Sequence, residues 1–353
     1  MTNLNVNINE IAEQFTQELD RWYSQPECWD NELDTMIHRW YSNPPNVWPK
    51  RPYFSPSSSK ACPRELYLKA KRAKKDAFPK QPHQGRWQEI GTAIGDVIQR
   101  TVLAMERNLP GCPFRFERTE EWTEKVKVKL ANGDEGEIEV TRGGQPMFED
   151  FAKKNHKISH NGQTFYLYGT CDGIMQYITE DGEVLRVGLE VKSKQSTPAK
   201  TSKHSMREAE EGHRKQCVAY SIMYDVDYYI ILYVNGAKKS WVMEDADYEA
   251  TPDIRAFGFE ITDEDRAELL DNFAEIAKGI SEDKAPALDL TRWTFNNFKT
   301  ASALSLTDEE YSQVKDTVRQ AMRSGLPEWK KRGYMEAFEF IKETRKGDEG
   351  EAV

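Results

Sequence analysis

Three residues near the middle of the chain have the types needed for phosphoryl chemistry: Asp172, then Glu190 and Lys192 within the run GLEVKSK (188–194). The run reads as a strand approached through Val184, Leu185 and Val187. Leu189 and Val191 fall on one face, and Glu190, Lys192 and Lys194 on the other. The preceding TFYLYGTCDGIMQYI (164–178) reads as a second strand, and TEDGE between the two as a turn near Asp181 and Gly182. Antiparallel pairing about Asp181 sets Asp172 opposite Glu190, since each lies nine residues from it. Two adjacent carboxylates repel by about a few kcal/mol at an effective dielectric of ~20. Each raises the other's pKa unless a cation lies between them. A hard divalent cation removes that conflict: Mg²⁺, with Mn²⁺ as a substitute, on Asp172, Glu190 and the backbone carbonyl of Val191. Lys192 then acts as a point charge or orients a water. Such a set suits phosphodiester hydrolysis; on an exposed sheet face the same residues make only a cross-strand salt bridge.

The surroundings of the three residues separate these readings. A helix after the second strand carries QCVAY, which places Gln216 and Tyr220 one turn apart. Upstream lie GTAIGDVIQ (91–99) and SPSSSKACPRELYL (55–68). The ordered set GTCDGI, LEVKSK and QxxxY resembles the PD-(D/E)XK nuclease superfamily, within the branch of RecB-type nuclease domains, CRISPR adaptation nucleases and phage exonucleases. The resemblance covers roughly 53–243. It implies a restriction-endonuclease-like core in which Asp172 and Glu190 bind metal and Lys192 is catalytic. Gln216 and Tyr220 would contact DNA and buttress the site. Many members carry a histidine in the first-motif helix, where this chain has Gly95, so either Asp96 or Glu89 is the candidate for an additional oxygen ligand. Cys171 stands where the namesake proline would. Some relatives hold an iron–sulfur cluster on one early and three late cysteines. Cys62 fits the early position but no cysteine follows Cys217, so no cluster is expected.

The elements that must position these residues suggest an α/β (α+β) fold, with a mixed central sheet flanked by helices. Helical N- and C-terminal additions complete it. Residues 1–50 form a helical extension with an internal echo, RWYSQP and RWYSNP. Its Trp22, Trp29, Trp40 and Trp48 are expected as packing anchors, or as a docking surface for a recombination or replication protein. The core spans 51–300. Pro79 and Pro82 are expected to break the chain before a helix at 87–108, which buries Ile90, Ile94, Val97, Ile98, Val102 and Met105. A hairpin is expected about Asn132-Gly133. C-terminal helices occupy 301–345, and the tail 346–353 is expected to be disordered.

Composition sets the outer bounds. A net charge of −10 over 353 residues argues against coating nucleic acid by bulk attraction. Two segments are nevertheless basic: 60–86 has nine Lys/Arg against two acids, and 192–215 has seven against three. Their expected role is to track a DNA backbone, with Arg64, Lys194 and His213 as contacts. No apolar run reaches the roughly 20 residues of a membrane span, and no GxxxxGK[ST] loop is present. Five widely spaced cysteines and no signal-like start point to a reducing cytoplasmic compartment, the bacterial host cytoplasm or nucleoid for a phage-encoded chain. The expected partner is DNA, through ends, duplex or single strands, with no membrane. The expected activity is that of a metal-dependent DNA nuclease, an exonuclease of recombination, repair or phage DNA metabolism. The rivals are an endonuclease and a catalytically inactive nuclease fold that binds DNA or protein.

Overall fold

A computed structural model describes residues 7–42, 44–77, 79–129, 133–237 and 240–351, with side chains described up to 347. The chain opens with α1 (Ile8–Tyr23), α2 (Asn31–Tyr41), β1 (Tyr53–Phe54), α3 (Pro63–Ala70) and α4 (Pro82–Asn108). Next come β2 (Phe114–Phe116), β3 (Trp122–Lys129), β4 (Glu135–Arg142), α5 (Glu149–Ala152), β5 (Lys154–His160) and β6 (Gln163–Gly169). The centre holds β7 (Gly173–Ile178), β8 (Val184–Lys194), α6 (Glu211–Tyr224), β9 (Tyr228–Asn235), α7 (Asp245–Ala250) and β10 (Ile254–Glu260). Helices α8 (Asp263–Glu282), α9 (Lys299–Leu304), α10 (Asp308–Arg323) and α11 (Glu328–Glu351) close it. The fold is α+β, with mixed sheets flanked by helices.

The chain divides into two compact units. The first comprises Met1–Trp48, Pro82–Lys154 and Gly169–Thr262. Its sheet has the order β10-β9-β8-β7-β2, in which only β8 and β9 run parallel. That parallel pair requires a crossover, which α6 supplies. One sheet face presents Val187, Leu189, Ile230 and Leu232 to a core shared with Phe15 and Leu19 of α1 and Val102 and Met105 of α4. The opposite face carries Gly188, Glu190 and Lys192. A Cβ at Gly188 would overlap the Tyr229 ring, so glycine here lets two strands and a buried tyrosine share that face. The second unit comprises Pro49–Gln81, Asn155–Tyr168 and Asp263–Val353. It holds the β1-β6-β5 sheet, a cluster of Phe54, Phe165 and Phe273 rings, and a separate helical core around Trp293, Val314, Val318 and Ile341.

Several expectations need correction. The single strand expected over 164–178 is two, β6 and β7, in different sheets. The chain breaks between them because Thr170 hydrogen-bonds the Glu149 carbonyl and the Glu149 N–H donates to Cys171 O at 2.9 Å. Pro82, expected as a breaker, instead opens α4, where its missing N–H costs nothing. Only the C-terminal half of α4 buries its apolar side chains, Ile98, Val102 and Met105 among them; Ile90 and Val97 are exposed. β10 has no clear signature in the sequence because IRAFGFE alternates weakly; its Gly258 leaves room for the Ile8 backbone. Trp22 and Trp40 pack against the first unit's core, whereas Trp29 and Trp48 are exposed rather than anchors. Strands β3 and β4 pair as expected, and Asn132 of their turn lies outside the described residues. Helix α11 extends through 346–351 of the tail expected to be disordered, continuing the turns that carry Ala337 and Ile341 in the helical core. Among the described residues no helix is long and apolar enough to cross a membrane.

Candidate active site

The β7–β8 register pairs Gly173 with Leu189 and Ile178 with Val184, which centres the hairpin on Asp181. One step beyond the last pair, Asp172 lies level with Glu190. Its Oδ2 accepts the Val191 N–H at 2.7 Å, so the end of one strand is fastened to the other by this carboxylate. Glu190 is 1% exposed. The Lys192 ammonium makes an ion pair with its Oε1 and donates to Gln216 Oε1 at 3.1 Å. Gln216 Nε2 in turn donates to the Tyr220 hydroxyl at 3.1 Å. The tyrosine therefore fixes which way the amide points, and the amide oxygen is left to hold the lysine. All five residues belong to the first unit, and the one-turn spacing of α6 puts both supports on the same helix face.

Burial pushes the Asp172 carboxyl above the ordinary range, against the lowering influence of the Val191 N–H and the Lys192 charge. For Lys192, burial acts to lower the pKa, but Glu190 and Asp172 together outweigh it and leave it raised. Lys192 is thus held as an ammonium, a donor and a positive charge rather than a base. Cys171 and Cys217, both fully buried beside this site, have thiols pushed up by burial and are inert packing groups.

A second acidic flank carries no mark in the sequence. Glu149 occupies the left-handed region at φ 44°, uncommon for a residue with a side chain. The Tyr41 hydroxyl donates to its Oε2 at 2.5 Å. Burial raises the Glu149 pKa; the Tyr41 hydrogen bond lowers it, and Asp96 and Asp172 raise it further. With Gln99, Asp96, Thr170 and Tyr41, it lines a cavity of about 490 Å³. Gln99 Nε2 donates to the Asp172 carbonyl at 2.9 Å, tying α4 to the start of β7. Nothing local in the PMFED stretch (146–150) singles out Glu149, because its relation to residues 41, 96 and 172 is purely tertiary.

Of the two alternatives on α4, Asp96 is the one beside this flank. Glu89 is exposed, two helical turns or about 10 Å away. Gly95 faces open space, and a Cβ there would meet nothing within 4 Å. Lys194 is ion-paired with Glu210 and lies over the Tyr233 ring at 5.2 Å. His213 Nδ1 lies 2.9 Å from the Tyr233 hydroxyl, on the first turn of α6. Arg64 requires correction as a DNA contact. It is 0% exposed within the second unit, where Nε donates to Pro286 O at 2.7 Å and Nη1 to Ser305 Oγ at 3.1 Å, while Nη2 pairs with Glu310. Its guanidinium holds helices and loops together and is closed to a phosphate.

Among the described residues no group of three or more His, Cys, Asp or Glu side chains gathers as a metal cage. The donors at the hairpin are two carboxylates with the neighbouring Val191 carbonyl. This sparse, all-oxygen set fits a cation that keeps most of its waters, as Mg²⁺ does. The fit is supported by the cost of the arrangement without one: burial raises the pKa of the Asp172 carboxyl despite the Val191 N–H and the Lys192 charge, and a cation there would offset that cost.

No family model matches the sequence, and no curated protein matches it. Among solved structures, the chain is similar to that of "SSO0001" at 11% identity, TM-score 0.38, covering 78% of this chain and 96% of that one. It is also similar to an alkaline exonuclease (LHK-Exo) from Laribacter hongkongensis at 11% identity, TM-score 0.33, covering 65% and 90%.

Proposed function

We propose that the protein is a divalent-metal-dependent DNA nuclease of the PD-(D/E)XK type that acts from DNA ends, in recombination, repair or phage DNA metabolism. The observation that carries it is the continuous chain Glu190–Lys192–Gln216–Tyr220 beside Asp172. A structural salt bridge has no need of a buried carboxylate, a lysine fixed from a second element and a tyrosine fixing the fixer. Asp172 and Glu190, with the Val191 carbonyl, would hold the Mg²⁺ or Mn²⁺ ion, and Asp96 or Glu149 would extend the set. When bound, the ion supplies Lewis acidity toward the phosphate and toward water. Lys192 contributes a fixed positive charge and N–H donors for the developing charge on the phosphoryl oxygens. Gln216 and Tyr220 hold it there, so little reorganisation accompanies reaction. Removal of the site from water strengthens each of these interactions.

A second reading, a nuclease fold used only for binding, is favoured by Gly95, which offers no ligand, and by the ion pair that already occupies Glu190. Metal-dependent stabilisation separates the two. A hydrolytic site predicts that Mn²⁺ raises the melting temperature of the wild type and leaves Glu190→Gln unmoved, since binding to the native state alone stabilises it. A wild type that melts at the same temperature with and without Mn²⁺ favours the binding fold.

A further inference from the structure

The N-terminal half of α4 departs from the pattern of a packed helix. Trp87 is 58% exposed, and Ile90 beside it is 47% exposed. An exposed indole on a helix that buries its other half is costly to leave in water, at about 25 cal/mol per Å² of apolar surface. Trp87 is nevertheless held in place. The Gln195 side-chain amide donates to its carbonyl at 3.1 Å and also lies 3.3 Å from Ser193 Oγ. The His83 ring meets the indole edge-on at 4.7 Å between centroids. Gly91 adds to the fit: a Cβ there would sit 3.1 Å from Ser193 Oγ, so the helix lies close against the end of β8.

Gln195 also joins this tryptophan to a second feature. Its neighbours Lys194 and Ser196 line a cavity of about 760 Å³, together with Lys200, His204, Ser205 and Arg207. Hydroxyls and cations converge there as they do on phosphate oxygens. Two acids, Glu208 and Glu210, share the wall, and Glu210 is engaged by Lys194. The cavity begins two residues beyond Lys192. An exposed indole and a cavity lined by cations and hydroxyls thus flank the stretch that leaves the candidate site.

We infer that Trp87 and the cavity of Lys200 and Arg207 form a path for unpaired polynucleotide, with a base stacked on the indole and backbone phosphates in the cavity. The occupant is single-stranded rather than duplex DNA, because an indole takes the face of a base only when that base has left its own stack. This deepens the nuclease proposal and rests on it for the choice of polyanion.

The test is equilibrium binding by fluorescence anisotropy, with the full chain in EDTA so that no cleavage intervenes. The probes are a fluorescein-labelled oligothymidylate and a blunt duplex of equal length. The wild type binds the single strand more tightly. Trp87→Ala weakens that binding about tenfold, Trp87→Phe recovers most of it, and the likewise exposed but remote-in-sequence Trp329→Ala leaves it unchanged. Lys200→Ala with Arg207→Ala weakens binding and flattens its salt dependence, as expected when two phosphate contacts are lost. Equal affinity of wild type and Trp87→Ala for the single strand, or preference for the duplex, overturns the inference. These outcomes are read without catalysis, so loss of the nuclease proposal through absent hydrolysis is a separate result.

Discussion

Arg64 and Lys192 come from two stretches that look alike as sequence, each crowded with Lys and Arg, yet they end in opposite circumstances. Arg64 is closed off by acceptors from Pro286, Ser305 and Glu310, and its planar fork is consumed by them. Lys192 keeps 23% of its side chain exposed and is held by Glu190 and by a glutamine that is itself held. One cation is spent on cohesion, and the other is aimed. The lesson is that a basic segment acquires its role from what fixes each side chain, and a count of charges does not carry that information.

The largest effect that would sharpen this contrast is on stability. Arg64→Leu removes a buried guanidinium from its pair with the half-buried Glu310 and strands the Pro286 and Ser305 acceptors, so chemical denaturation should show a loss of about 3 kcal/mol. Hydrolysis per folded molecule should be unaffected. A loss of activity without a loss of stability would reverse the assignment and return Arg64 to the DNA-binding surface.

A smaller effect concerns the acidic flank, where the sign is set by the raised pKa of Glu149. An acid whose pKa is higher in the folded state binds more protons folded than unfolded. Its contribution therefore lowers stability as pH rises from the ordinary carboxylate range, about 4, through the folded value. The groups facing Glu149 are Tyr41 from α2, Asp96 from α4 and Asp172 at the start of β7, with Asp150 and Arg100 lining the same cavity. Glu149→Gln in metal-free buffer should flatten the fall in stability above that range and leave the variant the more stable of the two at neutral pH. Melting curves across pH read this directly. An unchanged slope would mean that the carboxyl is already solvated.

How much of this was legible follows the range of the interactions. The relation of Asp172 to Glu190 depends on one hairpin of adjacent strands, and the period-2 pattern with a turn at Asp181 sufficed to place it. Gln216 and Tyr220 depend on helical spacing within one element. Glu149, by contrast, reaches the site through a strained turn and a hydroxyl 108 residues away, and no local pattern encodes that. The burial of Arg64 likewise depends on residues 222 to 246 positions distant. The exposed half of α4 misled for another reason. Ile90 and Val97 fall in the same periodic pattern as the buried Ile98, Val102 and Met105, so spacing could not distinguish a face that is packed from one left open.

The most direct measurement is digestion of end-labelled linear duplex, linear single-stranded and closed circular DNA, with Mg²⁺, Mn²⁺ or EDTA. Wild type, Glu190→Gln and Lys192→Met are run side by side. The proposed site predicts metal-dependent hydrolysis of linear DNA with circular DNA spared, abolished by EDTA and reduced at least about a hundredfold in both variants, which remain folded. Hydrolysis at wild-type rates by the two variants, or no hydrolysis of any substrate by the wild type, would contradict it.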